Sequence, residues 1–406
     1  MTLRSLAPDR DNATVEEVLD GLVNAPPLAP FSPEIRDFCA KLSRALFSDP
    51  RSKKLPDLQA LAFHLRPAEI QRLEDTFRAT APPRLQPRGL ALHIAPANVE
   101  TMFVYSWLFS ALMGNRNLVR ISSEAPETAL LLARVFAEVL EGAPEAMRRS
   151  VAIVQYGHDS AITAAFSEAC DVRVIWGGDE TVRSIRAIPL APRATEIVFA
   201  DRYSFAVLRA GAYLALDQAA RAALSDKFFN DTFWFDQMAC SSPRLVVWHG
   251  DHDETAEAAG AFYGHLAAAI ERRGHSPDTG TALTRFAFAC RAALDGPVTT
   301  VERHGGGFET VALAELTPFC REHCGGGLLY QFHTLDLSPL TRFVDRRDQT
   351  VTYFGYEGDA LEELVRRVSV RGVDRIVPVG KALEFGRYWD GYDLFLEFSR
   401  HVDVVK

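Results

Sequence analysis

Apolar positions recur at helical spacing over residues 14–24 and 57–79. The second run is broken at Pro67, which suits the first turn of a new helix because a missing N–H costs nothing there. This predicts a helical preface to the chain. PPRLQPRG (82–89) is a turn-rich hinge into LALHIA (90–95), an apolar run with the length of a buried strand. From there the pattern alternates: a helix over 100–113, the turn GNRN (114–117), the strand LVRI (118–121), a helix over 126–141 ending at Gly142, then VAIVQ (151–155) and VRVIW (172–176) with a helix between them. Parallel neighbours need a crossover, so strands spaced by helices of this length predict βαβ units in a parallel sheet. EIVFA (196–200) and FAVLR (205–209) read as strands at its end. The helix at 214–229 opens a second α/β domain, with a strand at 245–248 and helices around 253–272 and 281–294. Further on lie a helix at 358–368, RIVPVG (375–380), and LEFSRHVDVV (396–405), whose apolar content suits a strand that could be exchanged with another subunit.

The 406 residues suffice for two to three domains with a sizeable core, and 48 % hydrophobic with 24 % charged residues is a soluble globular balance. A net charge of −9 argues against a general nucleic-acid binder, which needs a basic face to displace counterions. No uncharged apolar stretch reaches the roughly 18 residues of a membrane span; the longest candidate, 101–115, also holds Ser106 and Ser110. The N-terminus has early acidic residues and no apolar signal core, which predicts a cytoplasmic location. Six cysteines are too sparse for a disulfide scaffold, so a special one would be reactive or metal-bound.

The most informative segment is FWFDQMACSSPRLVVW (233–248). Small and turn-forming residues after Cys240, then a buried-type strand, place the thiol in a loop just before an element start, where backbone N–H groups can point at a developing oxyanion. Gln237 three residues before Cys240 and Arg244 four after it resemble the nucleophile segment of the aldehyde dehydrogenase superfamily, and CSSP (240–243) is closest to its LuxC-like acyl-CoA reductase branch. The likeness extends to HIAPANVETMFVYSWLFSALMGNRNLVRISSEAPET (93–128) and to RGVDRIVPVGKALEFGRYWDGYDL (371–394), in the family's order. The resemblance implies an aldehyde dehydrogenase-like α/β fold: N-terminal helices and a Rossmann-type cofactor domain over 1–213, an α/β catalytic domain over 214–380, and a bridging or oligomerising segment over 381–406.

Carried over by position, the resemblance makes Cys240 the nucleophile and Asn98, with the Cys240 backbone N–H, the oxyanion hole. One preorganised donor to the tetrahedral alkoxide is worth on the order of 3 kcal/mol. Arg120 stands where the superfamily has a cofactor-contacting lysine, and arginine grips a phosphate bidentately. Ser123 stands where NAD-preferring members place a ribose-binding glutamate; a serine would hydrogen-bond a 2′-phosphate that a carboxylate repels, so NADPH is the expected cofactor. Pro96, Ser122, Gly177, Gly178 and Thr181 complete the implied cofactor contacts, with VIWGGDETV (174–182) seating the pyrophosphate and Asp179 or Thr181 capping the following helix. Val198 aligns where hydrolytic members carry a glutamate base, although Glu196 lies two residues away on the same strand face. The implied reaction is NADPH-dependent reduction of an acyl thioester, on coenzyme A or a carrier protein, to an aldehyde through an acyl-cysteine. The superfamily's habits imply a homo-oligomer.

Other features are set aside. CREHC (320–324) lacks the second paired set of a zinc site, the triple glycines at 305–307 and 325–327 have no GK[ST] after them and read as turns, and no G-x-S-x-G elbow occurs. WDGYD (389–393) matches the branch signature without a catalytic role. Two other readings stand beside the reductase: an aldehyde dehydrogenase working oxidatively, which a base at Glu196 would favour, and a non-catalytic partner-binding scaffold, against which Cys240 and Asn98 together count.

Overall fold

A computed structural model describes residues 2–96 and 99–405. The chain divides into two compact units, one of residues 1–200 with 386–406 and one of residues 201–385.

The first unit begins with strands β1 (Thr2–Ala7) and β2 (Asp9–Thr14), followed by the short β3 (Leu85–Pro87) and by β4 (Leu90–Ile94), β5 (Arg116–Ser122), β6 (Val151–Tyr156), β7 (Val172–Trp176) and β8 (Thr195–Phe199). Its main sheet runs β2-β1-β6-β5-β4-β7-β8, with β6 to β8 parallel and the β1–β2 hairpin antiparallel at the edge. β4 and β7 are buried along their whole length, which is why they read as near-continuous apolar runs. Strand order reverses between β4 and β7, the position where doubly wound sheets open a crevice at their carboxyl ends.

The opening hairpin corrects the expected helical preface. β1 buries Leu3 and then Ser5, Leu6 and Ala7 in succession, because its register shifts at Ser5, whose hydroxyl donates to the Pro8 carbonyl at 2.6 Å; the strand period is broken there. Helices follow at Val15–Val23, Pro33–Ser48, Pro56–His64 and Pro67–Arg78, the last opening on the anticipated proline. His93 is a core histidine: it meets Ser106 at 2.7 Å and Asn117 at 3.0 Å, and burial pulls its pKa down to about 4.

The second unit contains β9 (Tyr203–Arg209), β10 (Leu245–His249), β11 (Val298–Arg303), β12 (Glu309–Leu313), β13 (Leu328–Thr334), β14 (Asp348–Phe354) and β15 (Arg375–Pro378), in the order β11-β12-β13-β10-β9-β14-β15. β9 is therefore a central strand of the second sheet and not the end of the first, so the chain changes sheets before the expected boundary at 213. Its alternate residues feed two cores: Tyr203, Phe205 and Val207 pack on one face, Ala206 and Leu208 on the other. A strand buried on both faces has no amphipathic signature to assign it to either sheet.

The C-terminal segment returns to the first unit. β16 (Tyr388–Trp389) and β17 (Tyr392–Asp393) form a hairpin turning at Asp390 and Gly391, both with positive φ. WDGYD is thus a turn, held by Arg387 donating to Asp393 at 2.6 Å and by Asp393 capping the helix Leu394–Glu397. Of the long strand expected over 396–405, only β18 (Ser399–His401) forms, and it pairs with β3 of the same chain.

Candidate active site

The strands β9, β10, β13 and β14 are parallel, so their first residues gather at one edge of the second sheet. Cys240 lies there, between the helix Gln218–Phe233 and β10. The loop is held in an uncommon shape: Asp236 and Gln237 both have positive φ, at 48° and 64°. Such non-glycine conformations cost about 1–3 kcal/mol each and persist only where surroundings over-determine them. Here the buried Gln237 amide donates to the carbonyls of Pro243 and Leu328 at 3.0 Å and accepts from the Gly327 N–H at 3.0 Å, while the Gly326 N–H reaches the Asp236 carbonyl at 2.8 Å.

The triple glycine 325–327, expected as an ordinary turn, is the floor of this loop. All three residues have positive φ, and a β-carbon at Gly327 would stand 3.1 Å from Phe233 and Phe308. Arg244 is buried, donating to the Arg202 carbonyl at 2.9 Å and, more loosely, to those of Gln237 and Ala239. Burial pulls its guanidinium below the usual range against the electrostatic attraction of Cys240.

Ser204 of β9 donates its hydroxyl to the Cys240 carbonyl at 2.7 Å and accepts from the Thr350 N–H at 3.1 Å, which ties the cysteine backbone to two strands. Gln349 of β14, fully buried, donates its amide to the Cys240 sulfur at 3.3 Å. Sequence reasoning missed Ser204 and Gln349, which carry no motif. Burial pushes the thiols of Cys39, Cys170 and Cys320 up to about 12 and that of Cys324 to about 11, so they stay protonated and inert at neutral pH. Cys240 is half-buried and Cys290 is exposed.

Asp231, on the helix leading into the loop, anchors the turn after β15: its oxygens accept the N–H groups of Gly380 at 2.6 Å and Ala382 at 2.9 Å. Burial outweighs these bonds and raises its pKa to about 7. Between pH of about 4, where the unfolded carboxyl titrates, and about 7, the folded state holds the extra proton, so this group's effect on stability worsens as pH rises through that window. Asp231→Asn is expected to flatten that slope relative to wild type, as chemical denaturation at pH 5 and 7.5 will show.

The expected cofactor residues all belong to the first unit. Pro96 follows β4, Arg120 and Ser122 lie at the end of β5 with Ser123 next, and Gly177, Gly178 and Thr181 follow β7. All sit at the carboxyl ends of strands flanking the reversal of strand order, the arrangement that suits a dinucleotide. Arg120 donates to the carbonyls of Tyr156 at 3.1 Å and Gly157 at 3.2 Å, and the Ser123 hydroxyl would be 3.4 Å from a β-carbon at Gly157. The Ser122 hydroxyl accepts the Glu124 N–H at 3.3 Å. A side chain at Gly177 would meet Thr181 at 3.0 Å. The N-cap of the helix Asp179–Arg186 is Gly178, so neither Asp179 nor Thr181 stands at the anticipated capping position. Asn98 lies outside the described residues.

Glu196 is committed to structure. It faces Arg173 across the β7–β8 pair, receives that arginine's Nε at 2.9 Å and Nη2 at 2.5 Å, and takes Arg186 on its other oxygen at 2.6 Å. Among the described residues no helix is long and apolar enough to cross a membrane.

The model of the LuxC acyl-CoA reductase family matches residues 73–282. A long-chain acyl-protein thioester reductase of Photorhabdus luminescens is 26 % identical over 304 residues, 73 % of this chain and 59 % of that protein. One of Aliivibrio fischeri is 28 % identical over 172 residues, 42 % of this chain and 34 % of that protein. The matched regions thus span between a third and three-fifths of these relatives' length. Among solved structures, aldehyde dehydrogenase 21 of Physcomitrella patens, in complex with succinate, superposes with a TM-score of 0.65 at 13 % identity, covering 98 % of this chain and 93 % of that one. The fold is that of the aldehyde dehydrogenases, and with more than half its length matched the chain belongs to the LuxC acyl-CoA reductase family.

Proposed function

We propose that the protein reduces an acyl thioester to an aldehyde with NADPH, through an acyl group carried on Cys240. The observation that carries this reading is the Cys240 sulfur itself: half-buried at a sheet edge, in a loop whose strain is locked by Gln237, with an amide donor aimed at it. The relatives' acyl-protein thioester activity supports the same substrate chemistry, on either a protein or coenzyme A.

In this mechanism the Cys240 thiolate adds to the thioester carbonyl. The tetrahedral oxyanion is held by the Cys240 N–H and, by the family resemblance, by Asn98; collapse expels the substrate's thiol and leaves acyl-Cys240. Bound NADPH supplies the hydride that reduces this acyl group to a thiohemiacetal on sulfur. That adduct releases aldehyde and restores the thiolate. With Val198 where a base would stand and Glu196 held by two arginines, water attack on the acyl-enzyme lacks a carboxylate from this strand, which favours reduction over hydrolysis. Arg120 and Ser123 would hold the 2′-phosphate, and Gly177, Gly178 and Thr181 the pyrophosphate.

Consumption of NADPH with acyl-CoA and acyl-carrier-protein thioesters of short, medium and long chain tests the reading. Aldehyde formed in proportion to NADPH supports it; folded protein that does not bind NADPH sinks it. Ser123→Glu places a carboxylate where the 2′-phosphate would sit, and like-charge contacts cost several kcal/mol when desolvated. The ratio of kcat/KM for NADPH over NADH is expected to fall by at least about tenfold in this variant, and an unchanged ratio removes Ser123 from the cofactor site.

A further inference from the structure

The proposed reaction needs a thiolate at neutral pH, and this inference rests on that reading. A cysteine is mostly protonated there, with an unperturbed pKa of about 8.5. In the second unit an amide donates to the sulfur. We propose that Gln349 is a further catalytic residue, whose Nε2–H donates to the Cys240 sulfur and favours the thiolate over the thiol.

The geometry is specific to that role. Gln349 is buried, and its Nε2 stands 3.3 Å from the sulfur. Its other end is oriented by the Thr350 hydroxyl, which donates to Oε1 at 3.4 Å, so the amide nitrogen is the end that faces the cysteine. Its backbone is fixed as well, since the Asp374 N–H donates to the Gln349 carbonyl at 2.9 Å. An amide donates without giving up its proton, so the Cys240 proton leaves to solvent when the thiolate forms and none needs to be recovered from Gln349. A bond to an ionised acceptor is roughly twice as strong as one to a neutral acceptor, so the contact is strongest in the free thiolate and weakens in the acyl-enzyme. The same contact assists the last step, because a stabilised thiolate is a better leaving group from the thiohemiacetal.

Arg244 stays protonated and attracts the thiolate, and Tyr203, Asp201 and His323 interact in turn with Arg244. Burial drives Tyr203 well above its usual range and His323 down to about 3, so neither changes charge between about pH 5 and 9.

The test is the pH profile of Cys240 reaction with a small aromatic disulfide, read by peptide mass spectrometry, in wild type and Gln349→Met. Losing the donor is expected to raise the midpoint by about one pH unit. Below the midpoint the thiolate fraction falls tenfold, but thiolate nucleophilicity rises about threefold with a Brønsted coefficient near 0.4–0.5, so the rate falls about threefold. At high pH, where both proteins are fully ionised, the variant reacts about threefold faster. This crossing of the two profiles is not produced by a loosened loop. Superimposed profiles overturn the inference. The exposed Cys290 reports reagent behaviour and the buried Cys39, Cys170 and Cys320 report unfolding. If Gln349→Met exposes them, Thr350→Val decides, with a smaller shift in the same direction expected and no shift overturning the proposal. Failure of wild-type Cys240 to be acylated by any acyl thioester would instead sink the proposed function, leaving the disulfide profile to judge Gln349 separately.

Discussion

Replacing Cys240 with alanine is expected to lower aldehyde formation by at least about 10³-fold, since the substitution removes the atom on which both covalent intermediates are built. The hydroxyl that bonds the Cys240 backbone, Ser204, is engaged by the Cys240 carbonyl and the Thr350 N–H, and a serine hydroxyl is a far weaker nucleophile than a thiolate. Folding should be little affected, because the sulfur is half-buried and the loop is held by Gln237, Arg244 and the glycine floor, none of which uses it. NADPH affinity is expected to stay within about twofold, because the cofactor residues belong to the first unit and its separate core. The measurement is aldehyde formation under saturating thioester, with NADPH binding followed on the same preparation. Activity retained in Cys240→Ala would end the acyl-cysteine reading. Activity absent from wild type as well, with acylation of Cys240 also absent, would favour a fold retained for binding a partner.

What could be read from the sequence follows from what each feature needs. β4 and β7 announce themselves because a strand buried on both faces is a near-continuous apolar run, broken here only by the buried His93 and Arg173, and the helix at 67–78 because proline marks its first turn. The position of Cys240 before β10 was legible for the same reason, since the small residues of CSSP and the run LVVW are local signals. Gln349 and Ser204 were not, because what matters about them is pairing. Ser204 stands by Cys240 only because β9 lies beside β10, and Gln349, 109 residues after Cys240, only because β14 lies beside β9. Strand order is decided by how the whole sheet buries its two faces, and no window of the sequence contains it. The triple glycine at 325–327 is a case in between: its turn character was visible, but its partner, the strained backbone at Asp236 and Gln237, lies some 90 residues earlier. The same limit explains the two termini, where a register shift at Ser5 breaks the strand period of β1 and β18 pairs with the three residues of β3.

Glu196→Ala is expected to destabilise the first unit by about 3 kcal/mol while leaving turnover per folded molecule unchanged, and the pair of results separates two readings of one carboxylate. Arg173 occupies the middle of a strand that is otherwise apolar, with its side chain 2 % exposed. Besides Glu196, its guanidinium has the Ser167 hydroxyl at 3.1 Å and the Ile188 carbonyl at 2.9 Å, which satisfy hydrogen atoms but not the charge. Removing the carboxylate leaves a buried cation uncompensated, a loss that typically costs about 3–5 kcal/mol, and the residual exposure of Glu196 places this case at the lower end. Arg186 loses its partner too, but its side chain is more than half exposed and that pair adds little. A general base behaves differently. If Glu196 activated water, its loss would suppress release of free acid by about 10²-fold or more and leave stability within about 1 kcal/mol. Chemical denaturation and an assay of acid against aldehyde product, both on Glu196→Ala, therefore decide between them. A stable variant that loses acid formation would restore the oxidative dehydrogenase; a destabilised variant with the wild-type ratio of products leaves the carboxylate to the β7–β8 pair and the chemistry to the thiol.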